Sequence, residues 1–240
     1  MNCKNCGSDI KGNYCSHCGQ RTSIRPLNFS NFTRELIDST FQINSGLFFT
    51  IRQLFSSPGA TIREYVAGKR KPYLKPVTYV LALSIIYFLI SRAAGLNTWM
   101  NDLIEGYSLS ANAGEVPGVL NWFASNYAYA ILLLLPVYSL ASFIAFYRSG
   151  SNYIEHIVLN TYITGQQALI YSFFALIRAF WDTELLETIP ILIAVAYTFY
   201  AFLSYFKGNR FINTLATLLT YLLYLLFSLA LLFLNLAIKS

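Results

Sequence analysis

Five long apolar runs occupy the last two thirds of the chain, at about Pro76 to Ser91, Ala124 to Tyr147, Ile157 to Ala179, Ile189 to Phe206 and Phe211 to Ala237. Each can cross roughly 30 Å of hydrocarbon as a helix rising about 1.5 Å per residue, the first only just and the last with tilt or overhang. Upstream the pattern changes. From Pro26 to Tyr73, apolar residues recur three and four apart at Phe29, Phe32, Leu36, Ile43, Leu47, Ile51 and Leu54, with Arg34, Glu35, Asp38, Gln42 and Gln53 between them. This spacing predicts helix with a one-sided apolar stripe, broken at Ser45-Gly46. A second, shorter helix is punctuated by Ser57 as N-cap, Pro58 at the first helical position, Gly68 just past the end and Pro72 beyond. The stripe suits either packing against a membrane domain or lying in the headgroup plane.

Composition fixes the class. Of 240 residues 55% are hydrophobic and only 12% charged, about half the charged share of a soluble domain, which excludes disorder, a collagen-like chain and a disulfide scaffold. The predicted fold is an all-α polytopic membrane protein with five transmembrane helices. Residues 23–75 supply cytosolic amphipathic helices and a basic juxtamembrane segment, and residues 76–238 the membrane domain. Charge placement orients it. With the N-terminus in the cytoplasm, fourteen of the seventeen Lys and Arg residues fall inside, while Asp102, Glu105, Glu115, Asp182, Glu184 and Glu187 fall outside. The positive-inside bias therefore predicts an inner-membrane protein with a cytoplasmic N-terminus and a periplasmic or extracellular C-terminus.

All four cysteines lie within the first eighteen residues: Cys3-x2-Cys6, eight residues, Cys15-x2-Cys18. Each pair is followed by a glycine, Gly7 or Gly19, able to take the positive φ that turns backbone N–H groups towards thiolates. Two such knuckles supply a complete tetrahedral thiolate set for structural Zn²⁺, and residues 1–22 are expected to form a zinc ribbon with Cys3, Cys6, Cys15 and Cys18 as ligands. Two disulfides would need an oxidising compartment, and redox Cys-x-x-Cys chemistry normally uses one pair. His17 is expected to be a solvent-facing spacer. So small a module cannot fold on burial alone, so the ion supplies most of its folding free energy.

Lys69, Arg70, Lys71 and Lys75 stand immediately before the first apolar run and are expected to contact anionic lipid headgroups, each contributing about 1 kcal/mol. Nucleic acid is the weaker reading, because no base-reading motif accompanies the cluster. Within the spans, His156, Asn160, Thr164, Gln167 and Tyr171 follow helical spacing on one face of the third, and Thr217, Thr220, Tyr224 and Ser228 on one face of the fifth. Gly165 permits close approach beside Gln166 and Gln167, and Pro136 interrupts the second span. The polar faces are either interhelical glue or the lining of a path for a solute or lipid headgroup. No ionisable residue stands at mid-depth in any span, which favours glue over ion-coupled transport. Glu155 and His156 are the one adjacent acid and imidazole, but helix neighbours point about 100° apart and no nucleophile accompanies them. No enzymatic role is predicted.

The segments Cys3-Lys4-Asn5-Cys6-Gly7, Tyr14-Cys15-Ser16-His17-Cys18-Gly19-Gln20 and Ser57-Pro58-Gly59, with Ile62, Tyr65, Gly68-Lys69-Arg70, Tyr73 and Pro76, resemble a bacterial membrane family. It is the family catalogued as domain of unknown function 3667. The resemblance implies a bacterial inner-membrane protein with a cytosolic zinc ribbon and carries over no activity. A looser similarity, to Yip-type five-span proteins of membrane organisation, rests on span number and on the Pro-led helix before the first span. Together these readings lead to an expected scaffold or membrane-organising protein whose ribbon docks a protein partner. The alternative is a transporter or lipid-handling protein using the polar faces of the third and fifth spans.

Overall fold

Prolines, glycines and one capping box set the helix ends. The computed structural model describes residues 2–10, 12–22, 46–96, 101, 105–106, 118–181, 183 and 185–239, without the side chains of 119 and 232–239. Eight principal helices follow one another among the described residues: α1 (Gly46–Ser56), α2 (Pro58–Ala67), α3 (Pro76–Ala93), α4 (Gly118–Ser125), α5 (Tyr127–Ala145), α6 (Tyr153–Arg178), α7 (Leu185–Tyr205) and α8 (Arg210–Lys239). Helix α2 has the expected boundaries, Ser57 preceding Pro58 and Gly68 closing it at φ 108°. The amide of Lys69 then returns to the Glu64 carbonyl at 2.9 Å, a glycine-terminated cap. Helix α6 starts four residues before its expected start because Asn152 and Glu155 form a reciprocal capping box. Phe29, Phe32, Leu36 and Ile43, the first part of the expected amphipathic helix, lie outside the described residues.

Among the described residues four helices are long and apolar enough to cross a membrane: α3, α5, α7 and α8 over Arg210–Leu231. The expected third span, α6, is a 26-residue helix that does not join them, since His156, Asn160, Gln166 and Gln167 lower its hydropathy. Burial supplies the reason. Fourteen of its residues are buried, and it packs on α3, α5 and α7 at once through Tyr79–Tyr162 rings, Asn160–Ser142 and Gln167–Thr198. Its polar residues are turned to those neighbours and hydrogen-bonded to them, while Phe173 and Leu176 stand exposed, so the low hydropathy comes from the buried side of the helix. By contrast α8 leaves Phe211, Ile212, Leu215, Leu218 and Leu222 exposed.

Helices α1 and α2 are packed into this bundle. Leu54, Ile62 and Tyr65 belong to the same buried cluster as Tyr79, Val158, Tyr162 and Phe202. Glycines make the closest joins. A Cβ on Gly59 would overlap the Ser204 backbone, and one on Gly165 would come within 2.5 Å of the Tyr79 ring. The α2–α7 join is then fixed by polar bonds: the Gly59 amide donates to Ser204 Oγ at 3.0 Å, and Arg63 donates to the carbonyls of Ser204 and Tyr205. A cation on the last carbonyls of α7 also suits the negative end of that helix.

Replacing Gly59 with alanine is expected to destabilise the bundle by roughly 1–3 kcal/mol, because the added methyl meets backbone that cannot rotate away. Gly12→Ala, with open space around it, should leave the melting temperature of the detergent-solubilised protein unchanged.

Candidate metal centre and polar seam

The ribbon is one unit used twice. Its two halves match at an offset of twelve residues: Gly7 N–H to Cys3 O and Gly19 N–H to Cys15 O, both 2.8 Å, and Cys3 N–H to Ser8 O and Cys15 N–H to Gln20 O, both 2.9 Å. Isolated antiparallel bridges pair Asn2 with Asp9 and Tyr14 with Arg21. Gly7 and Gly19 take φ of 77° and 71°, so each knuckle closes through a conformation that a side chain would strain.

The four Sγ atoms of Cys3, Cys6, Cys15 and Cys18 lie within 4.8 Å of one another. Cys3–Cys18 and Cys6–Cys15 are each 3.6 Å apart, and none of the four is in a disulfide. Sulfurs bound at about 2.3 Å to one tetrahedral ion stand about 3.8 Å apart, so the cluster fits a metal ion. The surroundings favour thiolate at Cys6 and Cys18, whereas burial and the bonds with the Cys6 and Cys18 side chains raise Cys15. Hydrogen bonds from the Ser8 side chain and backbone bring the Cys6 thiol down to about 6, and the Asn5 side chain and Gln20 backbone lower Cys18. His17 is exposed, outside the ligand set.

The two halves differ at the residue after the glycine. Ser8 turns to Cys6, whereas its counterpart Gln20 leaves the ribbon. Gln20 is buried to 6% exposure, donates to Gly68 O at 3.0 Å and accepts from the amides of Arg70 at 3.2 Å and Lys71 at 3.1 Å. One side chain thereby satisfies three backbone groups of the turn between α2 and α3. The sequence places Gln20 directly after a knuckle but carries no signal of its target, so this clasp is visible only in the fold.

The same turn divides the four basic residues. Lys69 pairs with Glu64 at 2.8 Å, and Glu64 also accepts from Tyr73 OH at 2.7 Å; Lys69 and Tyr73 hold its carboxyl below the usual range. Arg70 lies over the Tyr65 ring at 5.5 Å. Lys71 and Lys75 are exposed.

In the bundle, polar side chains meet one another. His156 Nδ1 is 2.9 Å from Ser142 Oγ, and Asn160 Nδ2 donates to Ser142 Oγ at 2.7 Å, joining α6 to α5. His156 also sits against the Phe143 and Phe206 rings. Gln166 bonds the Tyr79 hydroxyl, Gln167 donates to Thr198 Oγ1 at 2.9 Å, and Tyr171 packs on Tyr87. Thr164 is half-buried on the same helix. Glu155 is turned into the capping box, accepting from the Asn152 amide at 3.1 Å. The polar face of α8 is spent separately. Thr217 and Thr220 are buried and return their hydroxyls to Asn213 O at 2.8 Å and Ala216 O at 2.9 Å. Tyr224 packs on Tyr138, with Ser228 half-buried one turn on. The seams of α6 and α8 thus both reach α5, at Ser142 and at Tyr138.

Residues 44–88 match the family model described as Protein of unknown function (DUF3667), which supports the family resemblance over α1, α2 and most of α3. No curated protein and no solved structure matches the chain.

Purified under reducing conditions, the protein is expected to hold one tightly bound metal ion per chain by elemental analysis. Cys15→Ser should remove it, and acidification should release it, because protons compete for the thiolates. Metal-free protein with four ordered thiols would contradict the assignment.

Proposed function

We propose that the chain is a five-span bacterial inner-membrane protein of non-enzymatic type, a scaffold whose zinc ribbon forms a rigid cytosolic docking module. Gln20 carries this reading. A flexible tether would leave the ribbon's orientation free, whereas three hydrogen bonds from one buried side chain fix it on the α2–α3 turn. A closed set of four thiolates leaves no position for substrate, in keeping with a structural Zn²⁺. The ribbon's outer side, with Tyr14 63% exposed, is the surface offered to a protein partner. Lys71 and Lys75 are directed to anionic headgroups.

Helix α6, third in chain order, completes the five spans. At 26 residues it extends about 39 Å, enough to cross, and its polar residues are covered by α3, α5 and α7. This keeps the N-terminus in the cytoplasm and the C-terminus outside, as the distribution of Lys and Arg requires. The bonds of His156, Asn160, Gln166 and Gln167 to neighbouring helices support the reading of the polar seam as glue, each worth about 0.6 kcal/mol. The rival, a path for a solute or lipid headgroup, draws on two buried atoms without partners, His156 Nε2 and Asn160 Oδ1.

The two readings separate on different variants. Under the scaffold reading, a protein recovered with the tagged chain after mild detergent extraction is lost in Cys15→Ser and weakened in Gln20→Ala, while Gln167→Leu with Thr220→Val retains it. Loss of a transport or lipid phenotype in the latter pair, with folding and recovery intact, would establish the path instead. A cytosolic signal from a reporter fused at Ser240 would defeat the five-span topology.

A further inference from the structure

The end of α1 is capped by the membrane helices rather than by water. The last carbonyls of a helix have no intrahelical partner. Here Tyr197 OH donates to Leu54 O at 3.0 Å and Tyr200 OH to Ser56 O at 2.7 Å, while one turn earlier Gln166 Nε2 adds a second bond to Ile51 O at 3.5 Å. Thr61 Oγ1 and the Ser57 amide both reach Gln53 O, at 3.2 and 2.9 Å. A helix ending in the cytosol needs no such supply, since water is at hand. A helix ending in hydrocarbon does.

The capping residues also give the depth. Gln166 lies midway along α6. Tyr197 lies eight residues inside the C-terminal Tyr205 of α7, roughly 12 Å at about 1.5 Å per residue. Exposed Arg148, Lys207 and Arg210 follow α5, separate α7 from α8 and open α8; on the proposed topology they mark the cytosolic headgroup level. Leu54 therefore lies about two helical turns inside that level, and the terminal Ser56, met by Tyr200 five residues before Tyr205, about one and a half.

Its outward face suits the same environment. Phe48 is 79% exposed and Phe55 46%. Phe55 sits 6.1 Å from the Tyr197 ring, so this face meets α7 beside Tyr200, itself 44% exposed. Exposed Arg52 shares the face, and Lys71 and Lys75 are exposed on the turn that meets the start of α1. Long basic side chains can reach headgroups from below the surface while their stems stay among acyl chains.

We propose that α1 and α2 form a re-entrant hairpin, with the Phe48–Phe55 face of α1 covered by acyl chains of the cytosolic leaflet and Arg52, Lys71 and Lys75 directed to lipid phosphates. The proposal goes beyond the scaffold reading and rests on the topology given there. Lipid is favoured over a protein partner because depth, capped carbonyls and flanking cations all match a phospholipid monolayer.

The test replaces Phe55, and separately Phe48, with photoreactive benzoylphenylalanine in the full chain and irradiates native membranes. Leu218 on α8, 53% exposed, is the lipid-facing control, and Tyr14 in the ribbon the aqueous one. A phospholipid adduct at Phe55 comparable with that at Leu218, still bearing an acyl chain after the headgroup is cleaved, is expected. A protein or second-copy adduct at Phe55, or loss of lipid labelling to the Tyr14 level, would overturn the hairpin while leaving the spans intact. Absence of lipid at Leu218 as well would overturn both.

Discussion

Away from water, a backbone N–H or C=O without a partner costs several kcal/mol, and a helix meets that need within itself. The segment between α2 and α3 is not helical, and it is where this constraint bears hardest. Leu74, buried near its end two residues before α3, has both backbone groups met by side chains: its amide donates to Thr50 Oγ1 at 2.9 Å, and its carbonyl accepts from Tyr162 OH at 2.7 Å. Thr50 in turn donates to Gly46 O at 2.6 Å. One chain of hydrogen bonds thus links the first turn of α1, the start of α3 and the centre of α6. The tyrosines and glutamines that make α6 less apolar than its neighbours are what allow an irregular segment to be built into the bundle.

The ribbon is joined to that irregular segment. Gln20 reaches Gly68, Arg70 and Lys71, and Tyr73 and Leu74 come directly after. A metal ion ordering the second knuckle fixes the amide that Gln20's carbonyl accepts, from Cys15, and so positions the side chain that holds the turn. A metal ion held by the four cysteines would therefore couple to bundle packing through backbone geometry rather than through charge. The basic residues nearby are engaged in the same structure, with Lys69 neutralising Glu64 and Arg70 lying over Tyr65.

Much of this architecture is written in local sequence. Two Cys-x2-Cys-Gly knuckles place four ligands without reference to the rest of the chain. Ser57, Pro58 and Gly68 bound α2, and apolar runs locate the membrane helices, because caps and hydropathy are properties of a few neighbouring residues. The Asn152-x2-Glu155 capping box is equally local and sets the start of α6 at Tyr153. Tertiary choices are not local. Tyr197 finds Leu54 O across 143 positions and Arg63 finds Ser204 O across 141, and a carbonyl carries no residue identity by which to recognise its donor. Helix α6 shows the limit most clearly, since its polar face signals that something must be satisfied but not that α1 and the α2–α3 turn are among its partners.

Residues 46–75 belong to the bundle rather than resting on it as a separate module. Hydrogen–deuterium exchange of the full chain in lipid nanodiscs tests this directly, since amides of packed segments open only with their surroundings. Protection across α2 and at Leu74 equal to that of α3 and α6, and reduced there by Tyr162→Phe, is the predicted result. Exchange of these amides at the rate of a solvated surface helix, unaffected by Tyr162→Phe, would contradict it.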